Sequence, residues 1–141
     1  MAVHRASLDV ETRGKGFIDV TSRVDAVVAR AGVKCGLCSV FLTHTSASLV
    51  IQENADPSVL SDLARFFASI APEGAHYEHD AEGPDDMPAH IQSALLRTSE
   101  TIPVEQGKLL LGTWQALYVV EHRRAPHTRR LIVTVMGDGS L

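Results

Sequence analysis

Leu109-Leu110-Leu111-Gly112-Thr113-Trp114-Gln115-Ala116-Leu117-Tyr118-Val119-Val120-Glu121-His122-Arg123-Arg124 is the stretch whose reading decides the fold. Aromatic and branched residues dominate it and no proline interrupts it, which favours one long β-strand. Two-residue alternation places Leu110, Trp114, Tyr118, Val120 and His122 on one face. Leu109, Leu111, Thr113, Gln115, Leu117, Val119 and Glu121 fall on the other, unless a bulge at Gly112 swaps the faces beyond it. Both faces are largely apolar, so both are expected to be covered, by a helix layer or by another chain. The strand ends in Glu-His-Arg-Arg, a dense polar cluster that a rigid scaffold would hold at its rim.

Outward from this strand, the chain alternates short elements. Val3–Thr12 has the two-residue period of a half-buried strand, and Phe17–Val20 makes a second. Thr21 or Ser22 caps a helix running to about Ala31, with Gly32 as its stop. Cys35–Thr45 is a strong strand, and a hydroxyl-rich bend, Thr43-His44-Thr45-Ser46-Ala47-Ser48, leads into another at Leu49–Asn54. Asp56-Pro57 opens a helix to about Ala71, with Leu60, Leu63, Phe67 and Ile70 as a core-facing stripe. Residues 73–87 form a long acidic loop. A helix is expected from Pro88 to about Arg97, with Ile91, Ala94 and Leu95 inward. Extended segments follow at Thr101–Val104 and Arg130–Met136. Six or seven strands and two to three helices, not alternating one by one, predict a single α+β domain with a mixed, mostly antiparallel sheet.

Composition narrows the function classes. The 141 residues carry a net charge of −4 and are 45% hydrophobic and 21% charged, an ordinary composition for one globular domain. The acidic balance argues against a broad nucleic-acid footprint. The apolar runs are too short to span a bilayer, and the first residues lack a signal-peptide core, so a cytoplasmic protein with no membrane partner is expected. Cys35 and Cys38 are the only cysteines. They enter a strand, where positions three apart face opposite ways, and are expected to be ordinary reduced thiols.

Three histidines end regular elements. His44 closes a strand, His90 lies in the first turn of a helix, and His122 closes the central strand. If those ends meet, three imidazoles could hold a divalent metal and leave a position for water. Glu53, Asp86 and Glu121 are carboxylates that could support such ligands or move protons. Arg123, beside His122, is the best-placed anion binder. His76 and His79 are expected to be solvated, and His4 and His127 have no evident role. Ser46 lacks the strand-turn-helix elbow of a serine nucleophile.

Five motifs in order carry a family likeness. They are Thr43-His44-Thr45-Ser46-Ala47, Glu53-Asn54-Ala55-Asp56, Gly83-Pro84-Asp85-Asp86-Met87-Pro88-Ala89-His90-Ile91, Leu111-Gly112-Thr113-Trp114-Gln115 and Glu121-His122-Arg123. Together they resemble the YjbQ-like family, also called the secondary thiamine-phosphate synthase family. The resemblance spans nearly the whole chain. It implies an α+β homotrimer with sites near subunit boundaries, and a polar, metal-binding site built on His44, His90 and His122. It also implies that Glu53, Asn54, Asp86, Thr113, Gln115, Glu121 and Arg123 line or support that site. Ala116 departs from the glycine more usual after Gln115.

The expected function is a small metal-dependent enzyme acting on a phosphorylated small molecule. A divalent metal, with zinc as a candidate, sits on the three histidines. Arg123, Thr45 and Ser46 hold the phosphate, and Glu121 or Asp86 handles protons. The family name implies low-level joining of a pyrimidine diphosphate to a thiazole phosphate, giving thiamine phosphate and diphosphate. The alternatives are a non-catalytic trimer that binds a metal or phosphometabolite, and a structural trimer whose histidines form a satisfied polar network.

Overall fold

The computed structural model describes residues 1–141. Eight strands form two antiparallel sheets. Strands β1 (Ala2–Glu11), β3 (Cys35–Leu42), β5 (Ser99–Glu105), β6 (Lys108–Leu109) and β8 (Thr128–Asp138) make the larger, in the order β1-β8-β3-β5-β6. Strands β2 (Gly16–Asp19), β4 (Ala47–Glu53) and β7 (Gln115–Glu121) make the smaller, with β7 central. Helices α1 (Thr21–Ala31), α2 (Pro57–Ile70) and α3 (Asp86–Leu95) complete the chain. The fold is α+β and mostly antiparallel, as the patterning requires. No helix is long and apolar enough to cross a membrane.

Local signals explain most boundaries. Gly32 ends α1 in the left-handed conformation, and Asp56 caps α2 by accepting a hydrogen bond from the Ser58 backbone N–H. Alternation in β3 buries Cys38, Val40 and Leu42 and leaves Leu37 and Phe41 exposed on the outer face. Cys35 is exposed and Cys38 buried, both as free thiols, and burial pushes the Cys38 thiol up to about 11. One core fills the space between the sheets. It joins Val24, Val27 and Val28 of α1 to Val40, Leu42, Leu131, Val133, Leu117 and Val119 from both sheets.

The stretch expected as one long strand is two. Leu109 ends β6 at the edge of the large sheet, and Gln115 starts β7 at the centre of the small one. The break lies at Gly112. Its backbone N–H donates to the Gln115 side-chain oxygen at 2.8 Å, and Gln115 N–H donates back to the Gly112 carbonyl at 3.1 Å. The side chain of Gln115 thus closes a turn that carries the chain from one sheet to the other. Trp114 sits in that turn and is exposed. Beyond the turn the alternation holds: Leu117 and Val119 enter the main core, while Tyr118 and Val120 pack on the opposite face.

The helix stripes also depart from expectation. No residue of α2 is buried. Only Leu60 of its stripe packs against the small cluster of Val50, Ala116, Tyr118 and Val120. A sheet three strands wide is too narrow to cover the helix, and Phe66 and Ile70 remain exposed. Helix α3 starts two residues earlier than expected, and it buries Asp86, Pro88, Ala89, Gln92 and Ser93 while Ala94 and Leu95 face outward.

Gly36 and Gly137 sit opposite one another on β3 and β8. A Cβ on Gly137 would lie 2.2 Å from the Cys35 carbonyl oxygen, closer than any real contact. Gly137→Ala should therefore destabilise the protein by about 1–3 kcal/mol, the usual cost of overpacking. Urea unfolding of this variant beside the parent will measure it.

Candidate functional site

The polar end of β7 holds a buried ion pair. Glu121 and Arg129 are each almost fully buried. Arg129 donates through Nε and Nη2 to the two Glu121 oxygens, and Thr12 Oγ1 donates to Oε1 at 2.6 Å. The Arg123 backbone N–H donates to Oε2. Burial pushes the Glu121 carboxyl up, but the Arg129, Thr12 and Arg123 donors outweigh it and hold the group below the usual range. Glu121 is thus placed as the partner of Arg129, with both oxygens engaged.

A relay leads from this pair to the surface. Arg129 Nη2 donates to Ser46 Oγ at 3.0 Å, and Ser46 Oγ lies 3.1 Å from His44 Nδ1. The Ser46 backbone N–H also donates to His44 Nδ1. Nδ1 is therefore an acceptor, and the ring proton resides on Nε2. Partial burial and the nearby charges of Arg129 and His127 lower the His44 pKa. In this arrangement exposed His44 offers an N–H donor to a ligand. Arg129 Nη1 is buried without a hydrogen-bond partner, a group left for something else to complete.

His122 is buried at the same end. Its Nε2 lies 2.9 Å from Ser48 Oγ, and burial lowers its pKa to about 4. It lines a small cavity of about 110 Å³ with Phe17, Phe67, Val120, Lys15 and Gln92.

Arg123 is committed to the acidic loop. It donates through Nε to Asp85 Oδ2 at 3.0 Å, through Nη1 to Asp86 Oδ1 at 2.7 Å and through Nη2 to the Glu82 carbonyl at 2.9 Å. Burial pushes the Asp85 carboxyl up, but Arg123 and the Arg124 backbone N–H pull it down to about 2. Asp86 turns its other oxygen towards two imidazoles. His79 Nε2 lies 2.6 Å from Oδ2 and His90 Nε2 3.4 Å from it.

The expected site residues therefore fall into separate groups. His44, Ser46, Glu121, His122 and Arg123 surround one end of β7, with Thr45 exposed in the adjoining bend. His90 and Asp86 join them through the Arg123 clamp. Glu53 and Gln115 pair across β4 and β7 at the other end, beside Asn54 and Thr113. Seven residues of strand separate the two ends, roughly 20 Å. One group of metal-binding atoms lies mutually within 4.8 Å, on His79, Glu82, Asp86 and His90. Of the three motif histidines only His90 is in it. His79, expected to be solvated, is a partner of Asp86, and His127 lies 3.6 Å from Glu121.

Arg129 escaped the sequence reading, although a signal existed. It shares the two-residue period of Leu131, Val133 and Val135, which marks it as inward-facing. His79 gave no signal, because it sits in a loop without periodicity.

Two outcomes follow from this geometry. Arg129→Met leaves Glu121 buried without its counter-charge, with only the Thr12 hydroxyl and the Arg123 backbone N–H as donors, and should cost about 3–5 kcal/mol in urea unfolding. The double change Glu121→Gln, Arg129→Met should recover part of that loss. His122 gives a pH dependence of definite sign. Its folded pKa is depressed, so between about 6.5 and 4 the unfolded chain binds a proton that the folded chain does not. As pH drops from about 6.5 to about 4 this group should cost the fold roughly 3 kcal/mol of stability, and His122→Gln should flatten the profile.

Comparison with other proteins matches the chain to a family. The family model for UPF0047 protein YjbQ-like matches residues 6–138. UPF0047 protein sll1880 of Synechocystis is 57% identical over 136 residues, covering 96% of this chain and 92% of that protein. UPF0047 protein YjbQ of Escherichia coli is 41% identical, covering 96% and 99%. A solved structure of an uncharacterized YjbQ/UPF0047 family protein from Clostridium acetobutylicum superposes with a TM-score of 0.81 at 37% identity, covering 94% and 99%. The chain belongs to the UPF0047 protein YjbQ-like family.

Proposed function

We propose that this chain is a subunit of a homotrimeric, metal-dependent enzyme that acts on a phosphorylated small molecule. The observation that carries this reading is the relay Glu121–Arg129–Ser46–His44. It runs from a buried guanidinium, paired with Glu121, to an exposed imidazole N–H, and so presents a directed donor at the rim of β7. Such a terminus suits a phosphate or diphosphate oxygen. Thr45 adds an exposed hydroxyl in the same bend, while the buried Ser46 hydroxyl is engaged within the relay. Arg123 serves by fixing the acidic loop, since its donors are taken by Asp85, Asp86 and Glu82.

The reaction that best matches these parts is displacement of diphosphate from a pyrimidine methylene carbon by the ring nitrogen of a thiazole phosphate. The carbon–oxygen bond breaks, a carbon–nitrogen bond forms, and the departing diphosphate takes the negative charge. A divalent metal would supply most of the stabilisation of that charge, with exposed His44 adding a hydrogen bond and buried Arg129 acting only through Ser46. Low-level thiamine-phosphate formation is the expected activity.

The trimer is supported by what one chain leaves uncovered. Phe66, Leu110 and Trp114 are more than half exposed, and Leu37 and Phe41 nearly so. The non-catalytic alternative is favoured by one observation: Glu121 is held ionised by Arg129 and Thr12, and Asp86 by His79 and Arg123, which makes them poor carriers of protons.

Light scattering coupled to size exclusion should give three times the chain mass of 15.2 kDa. Calorimetric titration with inorganic pyrophosphate should show binding that His44→Ala, at an exposed position, weakens about tenfold, the value of one charge-assisted hydrogen bond. Turnover of the pyrimidine diphosphate and thiazole phosphate pair with added zinc separates enzyme from binding module. Pyrophosphate binding that is absent, or indifferent to His44, overturns the reading.

A further inference from the structure

We infer that His79, Glu82, Asp86 and His90 bind one divalent transition metal ion, which fastens the acidic loop to the start of α3. This deepens the metal dependence proposed above, but its donor set is different and it stands on its own geometry. Asp86 and His90 are four residues apart on α3, so they share one face of its first turns. His79 and Glu82 approach that face from the loop, three residues apart. Their four ligand atoms all lie within 4.8 Å of one another.

Two of the separations match those of a tetrahedral coordination shell. Donors about 2.1 Å from a tetrahedral ion stand about 3.4 Å apart. His79 Nε2 is 3.2 Å from Glu82 Oε2, and His90 Nε2 is 3.4 Å from Asp86 Oδ2. The contact of His79 Nε2 with Asp86 Oδ2, at 2.6 Å, is shorter and needs to open by under about 1 Å. Two imidazoles converging on one carboxylate oxygen, with a second carboxylate beside them, is more than one hydrogen bond requires.

The surroundings hold the ligands in place. Arg123 Nη1 binds Asp86 Oδ1 and leaves Oδ2 facing the imidazoles, the role an outer partner plays in orienting a metal ligand. The same guanidinium grips the Glu82 carbonyl and Asp85, so the loop is anchored on both sides of Gly83. Gly83 has φ +104°, a conformation that lets the chain turn between Glu82 and Asp85. The charge is also right. Glu82, Asp85 and Asp86 against Arg123 leave two negative charges, which a divalent cation neutralises.

The donor chemistry selects the metal. Two imidazole nitrogens and two carboxylate oxygens suit zinc, and after it cobalt, nickel, manganese or iron. Calcium and magnesium prefer all-oxygen shells. His79 and Glu82 are exposed, so the loop side of the site opens to solvent and Glu82 can yield its place to a ligand oxygen.

The test is zinc titration of the purified, chelator-treated protein, followed by cobalt substitution. One zinc per chain is expected, with the visible absorption of four-coordinate cobalt. His79→Ala and His90→Ala should each weaken zinc binding more than tenfold, the loss that even outer partners of metal sites produce. His79 is exposed in a loop, so His79→Ala tests the site without burdening the fold; circular dichroism confirms this. His44→Ala and His122→Gln should leave zinc affinity unchanged. No stoichiometric zinc, zinc binding indifferent to His79, or zinc binding abolished by His44→Ala would each overturn the proposal. Pyrophosphate titration reads the His44 relay separately, so failure of either reading is distinguishable.

Discussion

Glu121 and Arg129 form an ion pair with both side chains out of contact with solvent, and the architecture of this end of the molecule depends on it. Glu121 ends β7 in the small sheet, and Arg129 lies near the start of β8 in the large one. Thr12, just after β1, donates to the same carboxylate. Three chain segments from two sheets therefore meet on one charge. Elsewhere the sheets are held by non-directional apolar packing, through Leu117, Val119, Leu131 and Val133. The ion pair adds direction: a buried carboxylate needs its donors in place, so it fixes how the two sheets align where the polar groups gather.

The same charge organises the chemistry outward. Arg129 passes hydrogen bonds to Ser46 and on to His44, while the Arg123 backbone is tied to Glu121 and its side chain to Asp85 and Asp86. Two residues only two positions apart, at the end of β7 and just beyond it, thus address two different places. Glu121 anchors the relay that ends at His44. Arg123 anchors the loop that brings His79 and Glu82 to His90. The proposed phosphate-binding rim and the proposed metal-binding loop stand side by side, the arrangement that displacement of a phosphorylated leaving group would need.

The apolar surface left open follows from the narrow second sheet. Three strands can shelter one face of the core, but they cannot also bury α2, whose stripe meets little beyond Leu60 and its cluster. Together with exposed Trp114 and Leu110 on the crossing between sheets, this surface stays uncovered in the single chain.

Much of the fold was legible in the sequence, because it rests on local chemistry. The Asp56 cap and Pro57, the Gly32 stop and the alternation of β3 and β7 each depend on residues within a few positions of one another. The separation of Leu109 from Gln115 was not legible, since a glycine in a strand looks alike whether it marks a bulge or a crossing, and only the sheet each half joins distinguishes them. The burial of α2 was misjudged because amphipathicity states which face wants cover, and the width of the facing sheet decides whether cover exists. In the site, the sequence named His44, His90, His122, Glu121 and Arg123 but could not pair them. Pairing is a property of distances between residues far apart in the chain, such as Arg123 with Asp86 or His122 with Ser48. The sequence by itself determined the elements and the chemistry available at their ends; only the tertiary structure decided which charges neutralise one another and which imidazoles converge, because those outcomes depend on where two sheets and a loop bring their ends together in space.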